Sequence, residues 1–177
     1  MNQFDDELQR MEELEREEDQ VFQEAISLDD PISSLEVSHP VTVPLGASIR
    51  EVVEKLHEKS AGCVLVVKKD KLAGIMTERD ILLKITGNGY DFDQIKVDDF
   101  MTPNPESLKM TDPVAFALNK MYVGGFRNVP IVDEAHRPVG LVGIKDIIRM
   151  IANYFAQEIL NLPPEPEHQI ADRPEGG

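Results

Sequence analysis

The chain has 177 residues, with 33 Asp and Glu against 18 Lys and Arg and a formal net charge of −15. That length allows one domain or two small ones with a core that needs no covalent staples. A single cysteine, Cys63, excludes a disulfide framework and a Cys-based zinc finger, and no apolar run approaches the roughly 18 residues of a membrane span. The acidic balance speaks against non-specific nucleic-acid binding, because a phosphate backbone would be repelled. The acidic N-terminus is unlike a secretory signal or transit peptide, so the expectation is a soluble, cytoplasmic protein that meets neither nucleic acid nor membrane.

The charge is unevenly spread. Residues 1–30 hold 12 acids and 2 bases, and residues 162–177 hold 4 acids and 1 base. The middle, 31–161, has 17 acids against 15 bases and is close to neutral. Residues 3–26 lack Gly and Pro, and Phe4, Leu8, Met11 and Leu14 recur at helical spacing, renewed by Val21, Phe22 and Ala25. An acidic amphipathic helix over 1–30 is expected, docked on the body or on a second subunit; the other reading is a solvated acidic arm. Residues 162–177, with four prolines and two terminal glycines, read as a disordered tail.

The middle is one unit written twice. A shift of 65 residues lays Ile32 on Val97, Val43 on Leu108, Ile49 on Val114 and Val66 on Ile131. One extra residue in the second turn changes the shift to 66 and lays Gly74 on Gly140 and Asp80 on Asp146. Repeats over 31–95 and 96–161 are expected, each reading strand, helix, strand, strand, helix. In the first, Val41 to Val43 is a short strand, and Ser48 with Glu51 forms a capping box before the stripe Ile49, Val52, Val53, Leu56. Cys63 to Val67 is a strand buried on both faces, Lys68 to Lys71 a turn, Leu72 to Met76 a strand, and Thr77 opens a helix. In the second, Asp112 caps a helix with Pro113 at its first position. Strands at Val129 to Val132 and Val139 to Val142 follow, then a helix from about Ile144 to about Leu160.

Two strand-to-helix junctions carry the chemistry. At Gly74-Ile75-Met76-Thr77-Glu78-Arg79-Asp80, free N–H groups suit a phosphate, Thr77 offers a cap or a hydroxyl, Arg79 a mobile positive charge, and Asp80 a carboxylate for the paired hydroxyls of a ribose. The alternative is a reciprocal Thr77–Asp80 cap with Arg79 as a surface charge. The same junction recurs as Gly140-Leu141-Val142-Gly143-Ile144-Lys145-Asp146.

These segments, with the strand from Gly62 to Val67, Phe100-Met101-Thr102-Pro103-Asn104-Pro105 and the run from Gly124 to Asp133, resemble a tandem pair of cystathionine-β-synthase-type (CBS) domains, a stand-alone Bateman module. The resemblance implies an α+β fold of two β-α-β-β-α repeats packed as a pseudo-twofold pair. It implies a non-catalytic module that senses AMP, ADP, ATP, NAD or S-adenosylmethionine in a cleft between repeats. Carried over, the first cleft uses Asp80 for the ribose, Thr77 and Arg79 for the phosphate end, Met101 and Thr102 as lining, and Arg127 and Asn128 from the second repeat. The second uses Asp146 and Lys145 with Val41, Gly62 and Cys63, and is expected to be weaker because Gly143 replaces a hydroxyl residue. The resemblance further implies a homodimer, a flat four-repeat disc joined through the helices after the junctions, and an unnamed protein effector.

The competing reading is a structural interaction protein with vestigial clefts that recruits a partner through its acidic N-terminal helix. An enzyme is disfavoured. His39, His57, His136 and His168 show no metal spacing, Cys63 lies in a buried strand without a Cys partner, and no nucleophile–base pair is readable. Asp98 and Asp99 read as caps.

Overall fold

The computed structural model describes residues 28–154. The expected N-terminal helix, the last turns of the final helix and the tail fall outside them, apart from the arm's last residues. The order is β1 (Thr42–Pro44), α1 (Ile49–Lys59), β2 (Cys63–Lys68), β3 (Lys71–Thr77) and α2 (Glu78–Asp80), which runs on as a wide π turn over Ile81–Ile85. A 3-10 turn at Val97–Asp99 leads to β4 (Thr102–Pro103), α3 (Val114–Gly124), β5 (Asn128–Val132), β6 (Pro138–Gly143) and α4 (Ile144–Tyr154). The architecture is α+β, with two sheets, β1-β2-β3-β4 and β5-β6.

Local chemistry explains most of the boundaries. Ser48 and Glu51 make the reciprocal capping box that starts α1, and Ser60 ends it in the left-handed region at φ 48°. β2 is buried along Cys63–Val66 and pairs antiparallel with β3. Lys69 and Asp70, both at positive φ, form the two-residue turn between them, the backbone that matches the right-handed strand twist. β1 lies parallel to β2, with Val43 opposite Val66.

The second repeat departs from the expected pattern in two places. Its first strand is reduced to a single parallel bridge, Leu108 with Ile131, the counterpart of Val43 with Val66. At the very next residue the Lys109 N–H donates to Asp112 Oδ2 at 2.8 Å, and the chain turns away. That bond also corrects the expected cap. The carboxylate of Asp112 serves the preceding turn, and the N-cap of α3 is Pro113, which has no side-chain acceptor.

Neither repeat closes on its own residues. β4, from the start of the second repeat, pairs with β3 of the first through Gly74–Pro103 and Ile75–Thr102. Reciprocally, Ser38 bridges Leu141 on β6. The cores follow the same exchange. Ile32 and Leu35 pack with Leu108, Val114, Met121 and Ile131 in the second core, whereas Val97 packs with Ile49, Val52, Val66 and Met76 in the first. Gly74 and Gly140 make room for the crossing segments. A Cβ on Gly74 would collide with the Met101 sulfur, and one on Gly140 with Val37 Cγ1. Between the sheets Cys63, Leu65, Leu72, Ile75 and Val132 form a third apolar cluster, joined by Leu141, and the Leu72 N–H donates to the His136 carbonyl at 3.0 Å.

Candidate functional site

At the first junction β3 delivers Thr77 to the start of α2. The Asp80 N–H donates to Thr77 Oγ1 at 3.2 Å, while the Thr77 N–H and hydroxyl donate to Asp80 Oδ2 at 2.9 and 2.6 Å. The reciprocal cap is therefore formed, with the carboxylate half-buried, its side chain 19% exposed. Lys84 Nζ lies 2.8 Å from the other oxygen, Oδ1. Partial burial pushes this carboxyl up, but the hydrogen bonds from Lys84 and Thr77, with the Lys84 charge, outweigh it and hold the acid below its usual range. Arg79 is exposed beside the cap.

Pairing of β4 with β3 lays Thr102 against Ile75, and the Met101 side chain covers Gly74. Cys63 stands opposite Thr77 in the β2–β3 ladder, and the Glu78 N–H donates to the Gly62 carbonyl at 3.1 Å. Val41 accepts from the Leu65 N–H at 2.8 Å, ahead of β1. Thus Thr77, Arg79, Asp80, Met101 and Thr102 gather at one end of the first sheet, with Gly62 and Cys63 beside them.

The second junction is a poorer copy. The Gly143 N–H donates to Asp146 Oδ2 at 2.7 Å, and no hydroxyl completes a box. Asn128 pairs with Gly143, and the Ile144 N–H donates to the Arg127 carbonyl at 2.9 Å. Arg127 and Asn128 hence stand by backbone pairing at the Asp146 junction, as Gly62 and Cys63 stand at the Asp80 junction. Lys145 is exposed beside them. Arg149 Nη1 lies 3.4 Å from Asp146 Oδ1 and 3.6 Å from Glu36 Oε2. Lys84 and Arg149 were absent from the expected set. Their signal in the sequence is a cation three or four residues after an acid on a helix.

Cys63 is 2% exposed, and burial, aided by the nearby Glu78 charge, pushes its thiol up to about 11. Both disfavour the thiolate, which is the reactive form. We expect Cys63 to stay unmodified by a thiol reagent at pH 8 and to react fully in denaturant. Rapid labelling of the folded protein would show that the sheet interface opens. Asp98, expected as a cap, accepts from the Gly46 N–H at 2.8 Å and pins the loop before α1.

Two hollows lie away from both junctions. One of about 220 Å³ is bounded by α1 residues Glu51, Glu54 and Glu58. Another of about 350 Å³ sits between the hairpin turns, at Asp70, Asp133 and Arg137. The candidate site accordingly rests on placed donors and acceptors. Among the described residues no group of three or more His, Cys, Asp or Glu could hold a metal ion, and no helix is long and apolar enough to cross a membrane.

This duplicated junction, fed by leaders exchanged between repeats, is that of a tandem domain pair. The chain belongs to the CBS domain family, whose model matches residues 32–87 and 97–153. It is 31% identical over 133 residues to the CBS domain-containing protein CBSCBSPB1 of Arabidopsis thaliana, covering 74% of this chain and 23% of that one. It is 32% identical over 101 residues to the uncharacterized protein MK0525 of Methanopyrus kandleri, covering 56% of this chain and 52% of that one. The chain thus spans about half, or less, of these relatives' lengths. Among solved structures, CBS domain protein PAE2072 from Pyrobaculum aerophilum, complexed with AMP, matches at TM-score 0.63 and 26% identity over 71% of this chain and 98% of that one. The CBS domain pair of protein MJ0100, in complex with 5′-methylthioadenosine and S-adenosyl-L-methionine, matches at TM-score 0.63 and 27% identity over 70% and 96%.

Proposed function

We propose that this pair is a non-catalytic sensor that binds an adenosine-containing ligand at the Thr77–Asp80 junction. The carrying observation is the placement of a half-buried, ionised Asp80 beside a capping hydroxyl, with Arg79 exposed and Met101 and Thr102 alongside. An ionised carboxylate accepts both hydroxyls of a ribose, and a nearby guanidinium suits phosphate. In this reading Arg127 and Asn128 reach across from the second sheet to close the cleft. The Asp146 junction, with Lys145 and with Val41, Gly62 and Cys63 reaching across from the first sheet, takes a second ligand more weakly because Gly143 contributes no hydroxyl. The AMP and S-adenosylmethionine complexes of the solved relatives support the ligand class.

Thermal melts with AMP, ADP, ATP, NAD and S-adenosylmethionine test it. A ligand at about 100 times its Kd adds ~2.7 kcal/mol, a shift of about 5–10 °C for a body of this size. No shift with any of the five would defeat the proposal for this ligand set.

A second reading, an interaction protein with vestigial clefts, draws support from the missing hydroxyl at Gly143 and from the partners that Asp80 already has. It requires flat melts with all five ligands. In either reading the protein acts in the cytoplasm on a protein effector and as a homodimer. Leu82 and Leu83 after the first junction and Ile148 after the second are exposed, as are Phe116, Tyr122 and Val123 on α3. Such apolar faces are characteristic of a covered surface. Light scattering at micromolar concentration should return twice the 19.9 kDa chain mass; a monomer would contradict the disc.

A further inference from the structure

Each junction carboxylate is tied, through a cation on the following helical turn, to the leader that crosses in from elsewhere in the chain. At the first junction Lys84 Nζ donates to Asp80 Oδ1 at 2.8 Å and to the Phe100 carbonyl at 2.7 Å. Phe100 immediately precedes Met101 and β4. At the second, Arg149 bridges Asp146 and Glu36, and Glu36 immediately precedes Val37, which covers Gly140, and Ser38, which bridges β6. The two cations do not occupy equivalent positions. Under the 66-residue shift Lys84 falls on Met150, and Arg149 falls on Leu83. Duplication of one residue therefore does not account for the tie; each half links its carboxylate to its leader with a side chain of its own, through a hydrogen bond to a backbone carbonyl in the first and a longer, exposed ion pair in the second.

The oxygens of Asp80 differ in what they have left to give. Oδ2 takes both Thr77 donors, and a carboxylate oxygen offers about two lone-pair directions. Oδ1 is the oxygen open to a further donor, and Lys84 is on it.

We propose, resting on the reading that Asp80 receives a ribose, that Lys84 is a latch: a vicinal diol arriving at Asp80 Oδ1 displaces the ammonium, which releases the Phe100 carbonyl and loosens the leader from Val97 to Pro103. That leader carries Val97 into the first core and β4 onto β3. Occupancy of the cleft is thereby transmitted to the segment that the repeats exchange. Lys84 is a positioning residue, acting through Asp80 and the leader.

Adenosine is the discriminating probe, because it brings the diol without a phosphate for Lys84 to attract. Titration calorimetry would compare wild type, Lys84→Met and Lys84→Arg, all changes at an exposed side chain. Removing an exposed ion pair frees a competitor worth a factor of about three to five. Lys84→Met should bind adenosine that much tighter, and Lys84→Arg should bind like wild type. Amide hydrogen exchange across residues 97–103 should rise when adenosine binds wild type, and should already be raised in unliganded Lys84→Met. Unchanged or weaker binding by Lys84→Met, or no response of residues 97–103 to ligand in wild type, overturns the latch while the nucleotide reading stands. Absence of binding of both adenosine and AMP by wild type and Lys84→Met overturns the nucleotide reading and the latch with it.

Discussion

Asp80→Ala should weaken AMP binding by a factor of about 10 to 100, the largest loss expected from any single side chain of the junction. Two ribose hydroxyls donating to one ionised carboxylate form charge-assisted bonds. Each is worth roughly 1.5–3 kcal/mol, and deleting the acceptor forfeits at least one of them. The same change removes a reciprocal cap, in which Asp80 Oδ2 accepts from both the N–H and the hydroxyl of Thr77, at a cost of about 1 kcal/mol of stability. The two losses separate when affinity is measured by calorimetry well below the melting temperature, where the variant remains folded. Asp80→Asn serves as a second variant, since it keeps the shape and one acceptor oxygen. Asp146→Asn should leave the stronger binding event within about twofold, because its carboxylate faces Gly143 and Arg149 at the other junction. Undiminished affinity in both Asp80 variants would remove the site from this junction.

Ile32→Ala should destabilise the protein by about 2–5 kcal/mol, the usual cost of truncating a fully buried isoleucine, and lower Tm by about 10 °C. Ile32 precedes the first repeat's first strand but is buried in the second repeat's core. Its N–H donates to the Asp112 carbonyl at 2.8 Å, and neighbouring Pro31 bridges Pro113 at the start of α3. A double-mutant cycle reads the exchange directly. Ile32→Ala should couple to Val114→Ala in the second core by more than about 0.5 kcal/mol and be additive with Val66→Ala in the first. The reverse pattern would mean that each leader packs on its own repeat.

Much of the fold was legible because it is written in short-range chemistry. The Ser48–Glu51 box, the two-residue hairpin turn and the fully apolar β2 depend on residues within a few positions of one another. The Thr77–Asp80 contact is equally local, so the junction could be read both as a site and as a cap, and the structure contains the cap. The Asp112 cap failed for an equally local reason. The preceding turn offered the Lys109 N–H, and the carboxylate went there. The shrunken strand at Leu108 had no signature, because a single bridge and a short strand share the same apolar alternation.

Length, charge partition, the duplicated 65-residue unit and the two junctions were determined by the sequence alone, since helix caps, strand alternation and tight turns are enforced by neighbours along the chain. Which repeat each leader completes was decided only by the tertiary structure. Ile32 and Val97 are apolar residues at matching positions, and the hydrophobic effect carries no direction that would send either to one core or the other. Direction came from fit. Glycine at 74 and 140 left open the space that the crossing leaders fill, and Lys84 and Arg149 tied those leaders to the carboxylates beneath them.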